Sequence, residues 1–367
     1  MTLSVRMRHS FPERTLDVAF QAPPGITVLF GRSGAGKTTI VNAVAGLLRP
    51  EQAHISIDGR VLCDTDSGTH LPPQRRRLGY IFQEPRLFPH MTVRRNLMYG
   101  HRLAPAGATR PDPDRIIGLL GISGLLDRRP GTLSGGERQR VAIGRALLSA
   151  PGLILADEPL SSLDEARKAE VMPYFEWLRD ELSIPMLYVT HSASEVARLA
   201  TTVVAIDNGK VLRQGLAGEV LSDPAVTPLG ARAAGAVLET RVVRTHPDGI
   251  SELDAGGLRL FLPDVGQPDG ARVRVQIAAH DVMLARSRPE DISALNILPC
   301  TITGIRLGDG PGALVQLRAG DNMLLARITR RSVEALGLAP GDSVFALLKA
   351  VSISKANVAD VLSDPWR

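Results

Sequence analysis

Gly31-Arg32-Ser33-Gly34-Ala35-Gly36-Lys37-Thr38-Thr39 fits the pattern G-x-x-x-x-G-K-[ST] at every fixed position. Gly31, Gly34 and Gly36 let the backbone curl so that successive N–H groups point inward at a phosphate, with Arg32, Ser33, Ala35 and Thr39 completing the cradle. Lys37 supplies a full charge for β- and γ-phosphates, and the Thr38 hydroxyl is placed to ligate Mg²⁺. Hydrolysis of a nucleotide such as ATP also needs a carboxylate for the metal and a group that activates water. Leu153-Ile154-Leu155-Ala156-Asp157-Glu158 offers both, as an apolar run ending in two adjacent acids. Successive strand side chains point to opposite faces, so Asp157 can hold Mg²⁺ through its water shell while Glu158 acts as general base.

These residues need a scaffold that brings distant segments to one edge. Residues 26–30 read as a buried strand and 40–47 as a helix, which aims a helix N-terminus at the phosphate. Near-continuous apolar runs at 78–82, 153–156, 186–189 and 203–206 suit strands covered on both faces, as in a parallel α/β sheet. Helices are expected at 137–148 and 165–182, with Pro173 kinking the second or breaking its start. Asn208-Gly209 signals a hairpin between 203–207 and 211–213. Helical patterns at 92–98 and 114–120 predict a helical insertion at about 88–150 in a first domain of residues 1–222. Pro, Ala and Gly mark 223–235 as a linker. Residues 236–367 turn to short strands, at 272–277, 301–305, 314–318, 323–328 and 344–348, separated by Gly-Asp, Asp-Gly and Pro-Gly turns. They predict a small all-β barrel of the oligonucleotide/oligosaccharide-binding (OB) type.

Composition narrows the function further. A hydrophobic content of 44% supports real cores, and 4% aromatics leaves packing to aliphatic side chains. A net charge of +5 with no long basic run, and no aromatic interleaving, gives no reason to expect nucleic acid. Cys63 and Cys300 cannot build a disulfide framework or a C-x-x-C zinc site, so a reducing setting is expected. No apolar signal segment opens the chain and no run is long enough to span a bilayer, so a membrane process would need a partner to supply the membrane part.

Leu133-Ser134-Gly135-Gly136-Glu137-Arg138-Gln139-Arg140 reads physically as a second anion site. Ser134 can N-cap a helix with Glu137 at the capping-box position, while Gly135 and Gly136 bare its N–H groups. The whole octet resembles the signature motif of ATP-binding-cassette (ABC) ATPases. The resemblance implies an α/β P-loop ABC ATPase domain with a helical insertion. It also implies a head-to-tail homodimer, in which Ser134, Gly135 and Gly136 contact ATP held by the other copy. Gln83, in Tyr80-Ile81-Phe82-Gln83-Glu84-Pro85, resembles the loop glutamine that touches Mg²⁺. His191 resembles the switch histidine at the γ-phosphate, and Ser162-Leu163-Asp164 the loop that crosses the dimer interface. Phe11 is the candidate for stacking on adenine, with a hairpin-core role as its alternative.

Residues 83–100, with Leu87-Phe88-Pro89-His90-Met91-Thr92-Val93, resemble the importer pattern where the insertion meets a permease. Ser293-Ala294-Leu295-Asn296, followed by 297–302 and later by Leu347-Leu348-Lys349-Ala350, resembles the molbindin module, placed at about 290–356. Residues 274–285 resemble the preceding segment of molybdate-importer ATPases. The resemblance implies a peripheral ATPase at the cytoplasmic face of a bacterial inner membrane. Its partners would be permease subunits and, through them, a periplasmic molybdate-binding protein. Ser293, Asn296 and Lys349 are candidate donors to an oxyanion in the C-terminal domain, although some oxyanion-binding versions carry Arg where this chain has Leu295. Import of sulfate, thiosulfate or a sugar, and an anion-responsive regulator that pumps nothing, stay open.

Overall fold

The computed structural model describes residues 1–104, 110–161, 163–181, 184–223, 226, 235–308, 310–353 and 358–360. Ser162 and most of the expected linker at 223–235 lie outside the described residues. The described chain forms two compact units, residues 1–191 with 201–214, and residues 192–200 with 215–360.

The first unit opens with β1 (Leu3–Phe11) and β2 (Arg14–Ala22), paired antiparallel from Leu3 opposite Ala22 to Phe11 opposite Arg14. Alternation puts Leu3, Val5 and Met7 inward across from Ala22, Phe20 and Val18. β3 (Ile26–Phe30), buried at every residue, leads through the phosphate loop into α1 (Lys37–Ala45). β4 (Gln52–Ile57), β5 (Arg60–Asp64) and β6 (Thr69–His70) continue the antiparallel block. β7 (Leu78–Ile81) is followed by three helices, α2 (Val93–Leu103), α3 (Pro113–Leu119) and α4 (Gly135–Leu148). β8 (Leu153–Asp157), α5 (Glu165–Glu181), β9 (Met186–Thr190), β10 (Thr202–Asp207) and β11 (Lys210–Gly215) close the unit. Of the two outcomes expected at Pro173, a kink or a broken start, the second does not occur: α5 runs through Pro173 as one helix.

All eleven strands join one sheet, in the order β6-β5-β4-β1-β2-β11-β10-β3-β9-β8-β7. The parallel sheet read from the apolar runs comprises β10, β3, β9, β8 and β7, and β11 also pairs parallel with β2. Asn208 (φ 46) and Gly209 (φ 75) both take left-handed backbone between β10 and β11, as a tight hairpin turn requires.

Arg76 fastens α1 to this framework from below. It is 1% exposed, its Nη1 donates to the carbonyls of Ala43 (2.7 Å) and Val44 (2.8 Å), and its Nε donates to Leu71 (2.7 Å). Burial lowers its pKa, and the negative end of the α1 dipole helps to hold the charge. Arg76→Met strips carbonyls at the helix end of a buried donor. It should cost about 2–4 kcal/mol in urea unfolding; an unchanged midpoint would show that this clamp is dispensable.

The second unit contains α6 (Ala193–Leu199) and α7 (Ala217–Leu221), then β12 (Gly235–Thr245), β13 (Ile250–Ala255), β14 (Leu258–Pro263) and β15 (Arg272–Ala278). β16 (Met283–Ala285), β17 (Asn296–Leu307), β18 (Gly312–Ala319), β19 (Asn322–Thr329), α8 (Arg330–Ala335), β20 (Ser343–Leu348) and β21 (Val358–Asp360) follow. The strands form two five-stranded antiparallel sheets, β14-β13-β12-β15-β21 and β16-β20-β17-β18-β19. Their inward residues, among them Leu253, Leu260, Val275, Leu298, Val315 and Val344, make one aliphatic core. Among the described residues, no helix is long and apolar enough to cross a membrane.

Candidate active site

Parallel register brings the chemistry together. Phe30, the last residue of β3, lies opposite Thr190; Val189 lies opposite Asp157, and Ala156 opposite Ile81. The segments that leave these strand ends therefore emerge along one sheet edge: the phosphate loop, Asp157-Glu158, His191 and Gln83. That is where open α/β sheets place ligands.

The loop's glycines are required by geometry. Gly34 (φ 84) and Gly36 (φ 103) take backbone that side chains disfavour. A Cβ on Gly31 would sit 2.3 Å from the Ile206 carbonyl oxygen. The N-cap of α1 is Gly36, with no side-chain cap, so the first-turn amides remain for an anion. Lys37 is 4% exposed and donates to the carbonyls of Gly31 (2.8 Å) and Arg32 (2.9 Å). Desolvation lowers its pKa, while Glu158 and Asp157 pull it back up.

The Thr38 hydroxyl donates to Asp157 Oδ1 at 3.2 Å. Burial raises the Asp157 pKa and the Thr38 hydrogen bond partly offsets it. This pair is an oxygen-only donor set beside the phosphate cradle, which suits Mg²⁺. Among the described residues no group of three His, Cys, Asp or Glu could hold a metal, so water and substrate oxygens would have to complete the shell.

Glu158 has φ 45, an uncommon backbone for a residue with a side chain. The surroundings enforce it: its N–H donates to Val189 O (3.0 Å), and its carbonyl accepts from Ser161 Oγ (2.9 Å). His191 Nδ1 lies 3.4 Å from Glu158 Oε1. Gln83 is exposed just past the end of β7. Asp164 accepts from Arg167 N at 2.9 Å at the start of α5, Leu163 is buried, and Ser162 is not described.

Ser134 forms a complete capping box at α4: Glu137 N donates to its Oγ (3.2 Å), and its own N donates to Glu137 Oε2 (2.6 Å). The cap uses a lone pair, so the Ser134 O–H remains a donor. Among the described residues, no hydrogen bond joins Ser134, Gly135 or Gly136 to the phosphate loop of the same chain.

Several contributors carried no signal in the sequence. Tyr80 donates to Asn42 Oδ1 (3.3 Å) and stands beside Asp157; burial raises the pKa of its phenol. Arg145 of α4 donates to the carbonyls of Arg86 (2.9 Å) and Pro85 (3.2 Å), tying the loop after Gln83 to the helix that Ser134 caps. Phe11 ends β1 with the Arg14 guanidinium 5.3 Å from its ring centroid, and Arg14 also lies beside Gly34. One expectation needs correcting. The Asn296 amide is 1% exposed and committed to Phe261 N and O and to Leu348 O, so it does not serve as an oxyanion donor. Ser293 and Lys349 are exposed.

Residues 16–161 match the ABC transporter family, which makes the first unit an ATP-binding cassette. The structure is similar to an ABC-transporter cassette in its ADP conformation (TM-score 0.53, 25% identity, 62% of this chain and 98% of that one). It is also similar to cbiO1 from Clostridium perfringens, part of an ABC transporter complex (TM-score 0.51, 25% identity, 62% and 92%). Residues 292–354 match the TOBE domain. The chain is 49% identical to a molybdenum import ATP-binding protein of Mesorhizobium japonicum over 97% of both chains. It is 49% identical to that of Rhizobium meliloti, over 96% of this chain and 99% of the relative. For the Brucella abortus protein the identity is 47%, over 98% and 99%. The chain belongs to the family of molybdenum import ATP-binding proteins, ModC.

Proposed function

We propose that two copies of the chain close on two ATP molecules and drive molybdate import through a separate permease. The chain is the ATP-hydrolysing subunit of that importer. The observation that carries the catalytic reading is one strand edge holding Lys37, Thr38 beside Asp157, and Glu158 beside His191. On binding, Lys37 exchanges its two carbonyl partners for phosphate oxygens, and the loop amides hold the β-phosphate. Thr38, Asp157 and Gln83 would hold Mg²⁺, which when bound neutralises phosphate charge. Glu158 accepts the proton of the attacking water, and His191 holds the γ-phosphate in line. Ser134, Gly135 and Gly136 of the other copy donate to the same phosphate. Phe11 with Arg14 offers a face for the adenine.

The partners are the permease subunits, with a periplasmic molybdate-binding protein beyond them at an inner membrane. Ser293 and Lys349 remain candidate contacts for a regulatory oxyanion in the C-terminal unit. Uptake of labelled molybdate in cells lacking this chain tests the substrate. Molybdate uptake should fall to background and sulfate uptake should persist. Loss of sulfate uptake alone would reassign the importer, and no loss of either would favour the regulator.

A further inference from the structure

Behind the Thr38–Asp157 pair stands a phenol. Tyr80 lies opposite Leu155 in the β7–β8 register. Alternate residues of a strand share a face, so Leu155 and Asp157 point the same way, and Tyr80 with them. Leu155 packs in the cluster that holds Ile40, Val41 and Val44 of α1, and Tyr80 packs against the same cluster. Asp157 lies two residues further along β8, about 6.6 Å away, a span that a tyrosine side chain covers.

The helix α1 supplies the rest of the frame. Thr38 and Asn42 stand four residues apart on one face of it, with Cβ atoms about 5–6 Å apart. The Thr38 hydroxyl donates to Asp157 Oδ1, and the Tyr80 phenol donates to Asn42 Oδ1 at 3.3 Å. That distance is long for an O–H···O bond, and the phenol has a second acceptor within reach, the Asp157 carboxylate. Burial, and after it the Asp157 charge, raise the pKa of the phenol, so it keeps its proton and remains a donor. Phe82 stacks on the Tyr80 ring, with 3.9 Å between centroids and 12° between planes, which fixes the direction of the hydroxyl.

We propose that Tyr80 is a positioning residue for the metal carboxylate: its phenol donates to the Asp157 oxygen that Thr38 leaves free and keeps the other oxygen turned toward Thr38 and the phosphate cradle. A half-turn of the Asn42 amide then presents Nδ2 to the phenol oxygen, so both groups stay satisfied. A hydrogen bond to a ligating carboxylate sets its orientation and tunes metal affinity. The inference rests on the reading of Thr38 and Asp157 as the pair that holds Mg²⁺. Tyr80 acts through Asp157 and need not touch the nucleotide.

Binding of Mn²⁺ to the full-length protein loaded with a non-hydrolysable ATP analogue, with free ion counted by electron paramagnetic resonance, tests this. Tyr80→Phe keeps the ring and its stacking and removes only the hydroxyl. Its Mn²⁺ affinity should fall about 10-fold, while affinity for the analogue in EDTA is unchanged. Asp157→Asn should weaken Mn²⁺ binding at least as much. Unchanged Mn²⁺ affinity in Tyr80→Phe beside a weakened Asp157→Asn would overturn the role of Tyr80 and leave the metal reading standing. Unchanged affinity in both variants would remove the metal reading, and the role of Tyr80 with it. An equal loss of analogue affinity in EDTA would make the phenol a brace of the fold, and that too would overturn the proposal.

Discussion

Glu158→Gln should lower ATP turnover about 10²–10⁴-fold, the usual contribution of a general base, while the protein still binds ATP. The amide keeps the size of the side chain and can still face His191, now 3.4 Å from the carboxylate, but it cannot take a proton. That loss corresponds to about 3–5 kcal/mol of barrier. The backbone hydrogen bonds to Val189 and from Ser161 that hold the left-handed turn do not involve the side chain, so the fold should be unaffected. Single-turnover kinetics with equilibrium ATP binding separates the outcomes. Lost binding with the fold intact would place Glu158 in nucleotide contact instead of water activation.

Lys37→Ala should act on the other parameter. The ammonium is 4% exposed and satisfied by the Gly31 and Arg32 carbonyls, ready to turn to phosphate. Its removal deletes charge-assisted hydrogen bonds to the triphosphate, worth about 2–3 kcal/mol. ATP affinity should fall about 10²-fold. Unfolding free energy should move far less, because burying this amine is itself a cost, as its lowered pKa reflects. A large stability loss with affinity unchanged would make Lys37 a structural brace for the loop.

How much of this the sequence carried depends on where each constraint resides. The phosphate loop was legible because its glycines answer local backbone demands, and β3, β8 and β9 because strands covered on both faces read as unbroken apolar runs. The Ser134 cap was legible because a capping box spans only four positions. The antiparallel block carries a weaker signal: Leu3, Val5 and Met7 alternate with polar neighbours, a half-buried pattern that stands out less than an unbroken apolar run. Arg76 and Arg145 were invisible because their partners are backbone carbonyls set by tertiary packing, which leave no mark at any residue type. Asn296 misled for the opposite reason. A polar side chain in a recognisable motif looked available for a ligand, yet its amide bridges backbone on β14 and β20.

The proposed transport cycle requires ATP to be held between two copies. Light scattering of the Glu158→Gln protein with Mg²⁺ and saturating ATP measures this directly. The mass should double on adding ATP, and a Ser134→Glu change in the same background should abolish the doubling, by setting a carboxylate against the partner's phosphates. A single-chain mass at saturating ATP would contradict the shared site and, with it, the pump.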